Sequence, residues 1–153
     1  MAAGASRWPA TVVIEAILDT GPLVGAIDRD DQWHPWAAAQ FARLRPPALT
    51  CEAVLSEACF LLRTVPEARS RIFRLVDLGI LQVLPLIPEE SPSVCALLDR
   101  YGSRMDYADA CLLRLSELHR AHTIVTTDVD DFRVYRRFGR QALPLLIRSA
   151  GPA

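Results

Sequence analysis

Short runs of apolar residues alternate along this chain with longer segments in which apolar residues recur every three or four positions. The short runs are typical of strands buried in a parallel sheet, and the longer segments are typical of helices that cover such a sheet. Strands are predicted at 12–18, 48–50, 80–84, 123–126 and, interrupted by a proline, 143–147. Helices are predicted at 22–27, 34–44, 51–64, 67–78, 94–101 and 105–120. The alternation predicts an α/β fold in three layers, with helices on both faces of a central, mostly parallel sheet.

The chain has 153 residues, 51% of them hydrophobic, which is enough for one domain with one core. We expect this domain to span 14–148 and to follow an N-terminal extension at 1–13. No apolar run is long enough for a signal peptide or a membrane span, so the sequence predicts a soluble, cytoplasmic protein without a membrane partner. Four cysteines without a C-x-x-C pair predict reduced, buried thiols: Cys51, Cys59, Cys95 and Cys111.

Four acidic residues fall where this fold would bring them together. Asp19 directly follows the first strand, and Asp128 follows the fourth strand after two threonines. The carboxyl ends of parallel strands meet at the crevice where such sheets bind ligands. Glu57 lies almost within the apolar stripe of its helix, and Asp109 stands near the start of another helix. Two carboxylates about 5 Å apart repel each other by roughly 3 kcal/mol at an effective dielectric of about 20, so a bound cation is expected among them.

The chemistry of these acids favours hydrolysis of a phosphodiester. Hard oxygen ligands select Mg²⁺ or Mn²⁺, and these ions retain water molecules and bind phosphates. A metal-activated water can then attack the phosphodiester without a covalent enzyme intermediate. Other roles are open for the same residues: Asp19 in a strand-to-helix turn, Glu57 in a salt bridge with an arginine, and Asp106 or Asp109 as caps of a helix N-terminus.

Four short motifs, in this order and spacing, resemble those of the PIN domain family. They are Ile17-Leu18-Asp19-Thr20-Gly21-Pro22-Leu23, Val54-Leu55-Ser56-Glu57-Ala58, Asp106-Tyr107-Ala108-Asp109-Ala110 and Val125-Thr126-Thr127-Asp128-Val129-Asp130-Asp131-Phe132. The resemblance extends over about 14–146, nearly the whole chain. It implies a PIN-like fold and a metal-dependent ribonuclease, most similar to the VapC-type toxins of bacterial toxin-antitoxin pairs. It also implies an RNA substrate, a cognate antitoxin and a homodimer.

The resemblance also assigns roles to individual residues. The implied catalytic acids are Asp19, Glu57, Asp109 and Asp128. The implied ligands of Mg²⁺ or Mn²⁺ are Asp19, Asp109, Asp128 and Asp131. Asp131 is included because three aspartates crowd the last motif and Asp131 could share or replace the role of Asp128. Thr126 occupies the place of the family's site hydroxyl, and Asp106 has a supporting role.

Two further features bear on partners. The net charge is −1 and all 17 basic residues are arginines, so RNA binding must come from local arginines rather than from the overall field. Four of them have the spacing of one helix face after Phe132: Arg133, Arg136, Arg137 and Arg140. This face would bind the phosphate backbone, or it is merely solvated. Trp33, Trp36 and the apolar run 59–62 exceed what one small core needs and favour a homodimer.

Rival functions differ either in the residues that they require or in their genetic neighbourhood. A non-catalytic domain that keeps the fold and binds RNA or a protein would be expected to lack a site carboxylate, and none is missing here. An RNA-processing nuclease outside a toxin-antitoxin pair has the same site and differs in its genetic neighbourhood. A phosphatase of the haloacid dehalogenase type needs a second aspartate two positions after Asp19, where Gly21 stands.

Overall fold

The computed structural model describes residues 13–148 and contains a five-stranded sheet in which every neighbouring pair of strands is parallel. In spatial order its strands are β3 (Leu81–Val83), β2 (Ala48–Thr50), β1 (Ala16–Leu18), β4 (Thr123–Val125) and β7 (Leu145–Leu146). The hairpin of β5 (Arg136–Arg137) and β6 (Gln141–Ala142) is separate and antiparallel. The predicted parallel α/β fold is confirmed, including the edge strand near the C-terminus.

Helices connect the strands and form the outer layers. They are α1 (Thr20–Ile27), α2 (His34–Phe41), α3 (Glu52–Leu61), α4 (Ala68–Asp77), α5 (Ser91–Tyr101), α6 (Tyr107–Leu118) and α7 (Val129–Val134). A short 3-10 helix, Gly102–Arg104, leads from α5 into α6. The first six match the predicted helices to within a few residues at each end. The expected extension at 1–13 lies, except for Val13, outside the described residues.

The core lies between the sheet and its helices. All three residues of β1 and of β2 are buried, as a strand covered on both faces requires. The longest buried segment is α6, which is apolar around most of its circumference and packs against β1. Phe132 and Tyr135 are both fully buried and fix the chain after β4 to this core. None of the helices within 13–148 combines the length and apolar character needed to cross a membrane.

The prediction that four arginines share one helix face is wrong. Helix α7 ends at Val134, and the chain then turns into the hairpin, where Phe138 and Gly139 have positive φ angles of 51° and 74°. The helix stops because Tyr135 adopts an extended conformation that buries its ring in the core. The arginines at 133, 136, 137 and 140 therefore do not share a face.

Arg137 is consequently an interior residue and is not available to RNA. Only 7% of it is exposed, and its Nε donates to the Ser116 hydroxyl at 2.7 Å. Its two terminal nitrogens donate to the Arg120 carbonyl at 3.2 Å. Burial lowers the pKa of this guanidinium somewhat, with the nearby Arg120 charge adding to the effect. Arg133 and Arg140 are exposed, and Arg136 is half-buried.

The cysteines are reduced, as predicted, but not all of them are buried. All four are free thiols. Cys51 and Cys111 lie in the core and Cys59 is half-buried, whereas Cys95 is exposed on α5. The expectation of burial is therefore wrong for Cys95, whose position on the outer face of its helix the sequence pattern did not indicate.

Candidate active site

Asp19 is buried where β1 ends and α1 begins. Its Oδ1 accepts the Thr20 N–H at 2.7 Å, and its Oδ2 accepts the Thr126 hydroxyl at 2.7 Å. Only 8% of the residue is exposed, and this burial raises its pKa from 3.8 to about 6. The two hydrogen bonds oppose the shift, while the charges of Glu57 and Asp128 add to it. Asp19 thus caps α1, which is the turn role considered from the sequence. It is at the same time a buried acid whose ionised form is disfavoured.

Thr126 connects the two strand ends that carry acids. Its hydroxyl donates to Asp19 and also accepts the N–H of Asp128 at 2.9 Å. The residue is fully buried. Because β1 and β4 are neighbours with Leu18 opposite Val125, the residues that follow them in sequence lie side by side. The position predicted for a supporting hydroxyl therefore fixes both Asp19 and the start of the Asp128 turn.

Glu57 approaches the same site from α3. Its Oε2 accepts the Thr20 hydroxyl at 3.1 Å, so it is tied to the first turn of α1. The side chain is exposed rather than set among apolar residues, which corrects the sequence-based placement. Among the described residues Glu57 forms no salt bridge, so the arginine pairing considered from the sequence is not observed. Its carboxylate faces the solvent side of the crevice.

Asp109 lies in the first turn of α6, and Asp106 caps that helix. The Asp106 Oδ1 accepts the N–H of Asp109 at 2.8 Å, so Asp106 has the capping role. The Asp109 Oδ2 accepts the hydroxyl of Tyr135 at 2.8 Å. Asp109 is 9% exposed, and its burial raises its pKa to about 7, with the charges of Asp106, Asp19 and Asp128 as further causes.

Asp128 and Asp131 belong to the turn that opens α7. The Asp128 Oδ1 accepts the Asp131 N–H at 3.2 Å, and Asp128 itself is exposed. Partial burial, followed by the charges of Asp131 and Asp130, raises its pKa. Asp131 forms an ion pair with Arg104, whose Nε lies 2.9 Å from Oδ1. Arg104 is the only cation that makes an ion pair with an acid of this crevice among residues 13–148.

Three of these acids form a cluster that fits a divalent cation. Carboxylate oxygens of Asp109, Asp128 and Asp131 all lie within 4.8 Å of one another. Asp19 adds a fourth charge from the adjacent strand end, close enough to raise the pKa of Asp109. The donors are all hard oxygens, which suit Mg²⁺ or Mn²⁺ rather than a softer metal. Burial raises the pKa values of Asp19 and Asp109, and the neighbouring acids add to the shift; a bound cation would stabilise both ionised carboxylates.

Comparison with known families agrees with the motifs. A sequence-family model of the PIN domain matches residues 16–137, from β1 to β5. This chain belongs to the PIN domain family. A comparison with curated proteins found no match.

Two solved structures show the same fold as this PIN domain. VapC20 of Mycobacterium tuberculosis, described as a sarcin-ricin loop cleaving toxin, superimposes with a TM-score of 0.66 at 20% identity, covering 76% of this chain and 92% of its own. A toxin-antitoxin complex from Klebsiella pneumoniae superimposes with a TM-score of 0.59 at 18% identity, covering 78% of this chain and 91% of its own. The family resemblance and the three-layer fold are thereby confirmed.

Three residues of this PIN domain's site escaped the sequence analysis. Tyr135 binds Asp109 through a contact that spans 26 positions, and Arg104 reaches Asp131 across 27. Gly21 is required because a Cβ there would meet the Thr127 hydroxyl closer than van der Waals contact allows. Only the glycine carried a signal, since it stands inside a motif directly after Asp19 and a close approach is a common reason for such a glycine.

Proposed function

We propose that this PIN domain is a Mg²⁺- or Mn²⁺-dependent endoribonuclease that hydrolyses RNA phosphodiester bonds. The observation that carries the proposal is the acidic crevice, in which three carboxylates lie within 4.8 Å of one another beside the buried Asp19. Four acids crowded at the carboxyl end of a parallel sheet, with one arginine among them, repel one another, and a bound cation would offset that repulsion. The proposed ligands are Asp19, Asp109, Asp128 and Asp131.

The acids divide into metal ligands and a base. Asp19, Asp109, Asp128 and Asp131 would hold the metal, and the Tyr135 hydroxyl orients Asp109. When bound, the metal would neutralise charge at the phosphate and lower the pKa of water. Glu57, tied to Thr20 and exposed to solvent, accepts the proton of the water that attacks the phosphorus. The P–O bond to the leaving oxygen then breaks, and that oxygen takes a proton from solvent.

Nuclease activity is tested with RNA, Mg²⁺ and four aspartate substitutions. Asp19→Asn and Asp109→Asn should each abolish cleavage, because each replaces an anionic ligand with a neutral amide of similar shape. Asp106→Asn should reduce cleavage less, because Asp106 caps a helix. Asp130→Asn is the matched control, since Asp130 is exposed within the same motif and outside the cluster. Full activity of Asp19→Asn, or activity in excess EDTA, would contradict the assignment. A folded, metal-binding protein that cleaves no RNA would favour a binding domain instead.

We further propose that the protein is the toxin of a VapC-type pair and acts in the cytoplasm. The support is its family and its fold likeness to VapC20 and to a toxin-antitoxin complex. Co-expression with the neighbouring reading frame should relieve growth arrest and give a stable complex. An unrelated neighbour and growth without arrest would favour an RNA-processing nuclease outside such a pair.

A groove between α1, α2 and α4 suits an antitoxin segment. Its volume is about 550 Å³, and its walls are apolar, including Ile27 and Phe41. Its charged rim consists of Arg29, Arg71 and Arg74, without an acidic residue. An amphipathic segment with acidic residues beside its apolar face would complement both properties. Arg74→Glu should weaken the complex more than Arg69→Glu, an exposed control on the same helix, while free toxin cleaves RNA equally in both.

The extent of the domain, the dimer interface and the arginines that contact RNA are also proposed here. We propose that 14–148 form one domain and that it dimerises through apolar side chains exposed on α3 and α4. Phe60, Leu61 and Phe73 are 62%, 48% and 53% exposed. Light scattering at micromolar concentration should give twice the monomer mass, and a monomer would exclude this interface. For RNA, Arg133, Arg136 and Arg140 remain candidate phosphate contacts on separate parts of the surface.

A further inference from the structure

A small cavity borders the acidic crevice and contains none of the acids. Its volume is about 280 Å³, and it is lined by Trp33, Thr127, Val129, Arg133 and Arg148. Thr127 and Val129 are the two chain neighbours of Asp128, so the cavity begins one residue from the proposed metal ligands. We propose that this cavity is a nucleobase subsite, which binds a base of the RNA next to the bond that is cleaved. This inference rests on the proposed ribonuclease function.

The walls of the cavity have the flat, polarisable surfaces on which bases stack. The Cζ atom of Arg148 lies 4.1 Å from the centroid of the Trp33 ring, so guanidinium and indole form one cation–π unit. Single-stranded RNA is recognised mainly by stacking its bases on aromatic rings and on guanidinium planes. Trp33 is half-buried, which leaves part of the indole open to the cavity.

The fold positions the backbone of two lining residues before RNA binds. The backbone N–H of Trp33 donates to Asp31 Oδ1 at 2.8 Å, and its carbonyl accepts the Ala37 N–H at 2.8 Å. Thr127 is packed against Gly21, where no side chain would fit. Preorganised positions reduce the entropy lost on binding.

The charge of the cavity suits a nucleotide rather than a peptide or a lipid. Arg133 and Arg148 are both exposed, and neither forms an ion pair within 13–148. Two guanidinium groups without an acidic partner within 13–148, one of them stacked on Trp33, complement the phosphate and the base of one nucleotide. At about 30 Å³ per water, 280 Å³ corresponds to roughly nine water molecules, which is room for one planar ring system but not for a helix.

The first test uses the fluorescence of Trp33. In a Trp8→Phe, Trp36→Phe variant, Trp33 is the sole emitter, and stacking of a base should quench it. Saturable quenching by nucleoside monophosphates, with none by ribose 5-phosphate, is the expected result. Equal quenching by ribose 5-phosphate, or no quenching at all, would overturn the assignment. Because this measurement needs no cleavage, it reports on the cavity even if the protein proves not to be a ribonuclease.

The second test measures RNA affinity in a cleavage-deficient Asp19→Asn background. Loss of one stacked base weakens binding by roughly 5- to 150-fold, so Trp33→Leu should have an effect in this range. Phe138→Leu is the matched control, because Phe138 also stacks with an arginine, Arg120 at 4.6 Å, in the hairpin away from the crevice. Arg148→Ala, at an exposed position, should weaken binding several-fold and flatten the log-log salt slope by about 0.7.

The outcomes separate this inference from the proposed function. If wild-type protein cleaves RNA but Trp33→Leu and Arg148→Ala both bind it within twofold of the background, the cavity is not a base subsite and the nuclease assignment stands. An equal loss in Phe138→Leu would also overturn the subsite, since the effect would then be unspecific. If nucleotides quench Trp33 but no RNA is cleaved, the subsite stands and the nuclease assignment falls.

Discussion

Replacing the buried acid of the crevice should make the metal-free protein more stable. Asp19 has a pKa of about 6 because it is buried, against 3.8 in an exposed position. At about 1.4 kcal/mol per pKa unit, the ionised carboxylate costs the folded state about 3 kcal/mol at pH 8. Asp19→Asn keeps an oxygen for the Thr20 N–H and removes the charge, but its NH2 group cannot accept the Thr126 hydroxyl, which costs about 1 kcal/mol. We therefore expect its free energy of unfolding to exceed that of the wild type by about 2 kcal/mol, or roughly 4–8 °C in Tm.

The cost of the buried Asp19 carboxylate should depend on pH. A carboxyl group whose pKa is raised on folding binds its proton more tightly in the folded state, so the wild type gains stability as pH falls from above 6 towards 3.8. By linkage, the cost of Asp19 falls from about 3 kcal/mol at pH 8 to about 0.6 kcal/mol at pH 4. The advantage of Asp19→Asn should shrink accordingly.

Urea denaturation in EDTA at pH 8 and pH 4 measures this difference, and Asp130→Asn is the control for removing an exposed charge. Mg²⁺ in excess should then stabilise the wild type more than Asp19→Asn, because only the wild type retains the full set of ligands. If Asp19→Asn were less stable than the wild type at pH 8 in EDTA, the buried charge would not dominate at this position and the argument would be refuted.

Three further substitutions test other contacts. Tyr135→Phe removes the hydroxyl bound to Asp109, so urea denaturation should show a free energy of unfolding lower by about 1–2 kcal/mol. The pH midpoint of Mn²⁺ binding should rise, because this hydrogen bond lowers the pKa of Asp109, and an unchanged midpoint would exclude the contact. Arg137→Ala should cost about 3 kcal/mol of unfolding free energy because its guanidinium is bonded in the interior, while the RNA affinity stays within twofold. Gly21→Ala should cost about 1–3 kcal/mol and reduce cleavage, since the new methyl group displaces Thr127; wild-type stability would show that the turn can yield.

The parallel sheet and the acids at its strand ends were predictable because both depend on local sequence. A short apolar run followed by an acid, as at Asp19 and near Asp128, indicates where a buried strand ends. Parallel strands then bring these ends to one edge whatever the details of packing. Asp109 does not follow a strand, and its place in the site came from the resemblance of its motif to the PIN family.

The hairpin after α7 was not predictable from spacing. Arginines at i, i+3, i+4 and i+7 fit one helix face, but charges carry no information about which tertiary contacts compete with the helix. Burial of Tyr135 and the contacts of Arg137 with Ser116 decide that competition, and both depend on α6, some twenty residues earlier. Gly139, at φ 74°, was the one local sign that the helix would not continue.

The placement of Glu57 failed for a related reason. Its position next to apolar residues of α3 indicated burial, whereas the side chain projects past the core to Thr20. Helical periodicity assigns a residue to a face but does not fix where the covering layer ends. Glu57 reaches the first residue of α1, where the covering layer begins, and its side chain is therefore exposed.

The geometry of the site is therefore set by strand register more than by the acids themselves. Leu18 pairs with Val125 across β1 and β4, and this register places Asp19 beside Thr126, whose hydroxyl then reaches both Asp19 and the Asp128 N–H. A shift by one residue would turn the side chains of β4 to the opposite face, separating the hydroxyl from Asp19. Since all of β1 and the residues Ile124 and Val125 of β4 are buried, the core that resists this shift also holds the crevice in place.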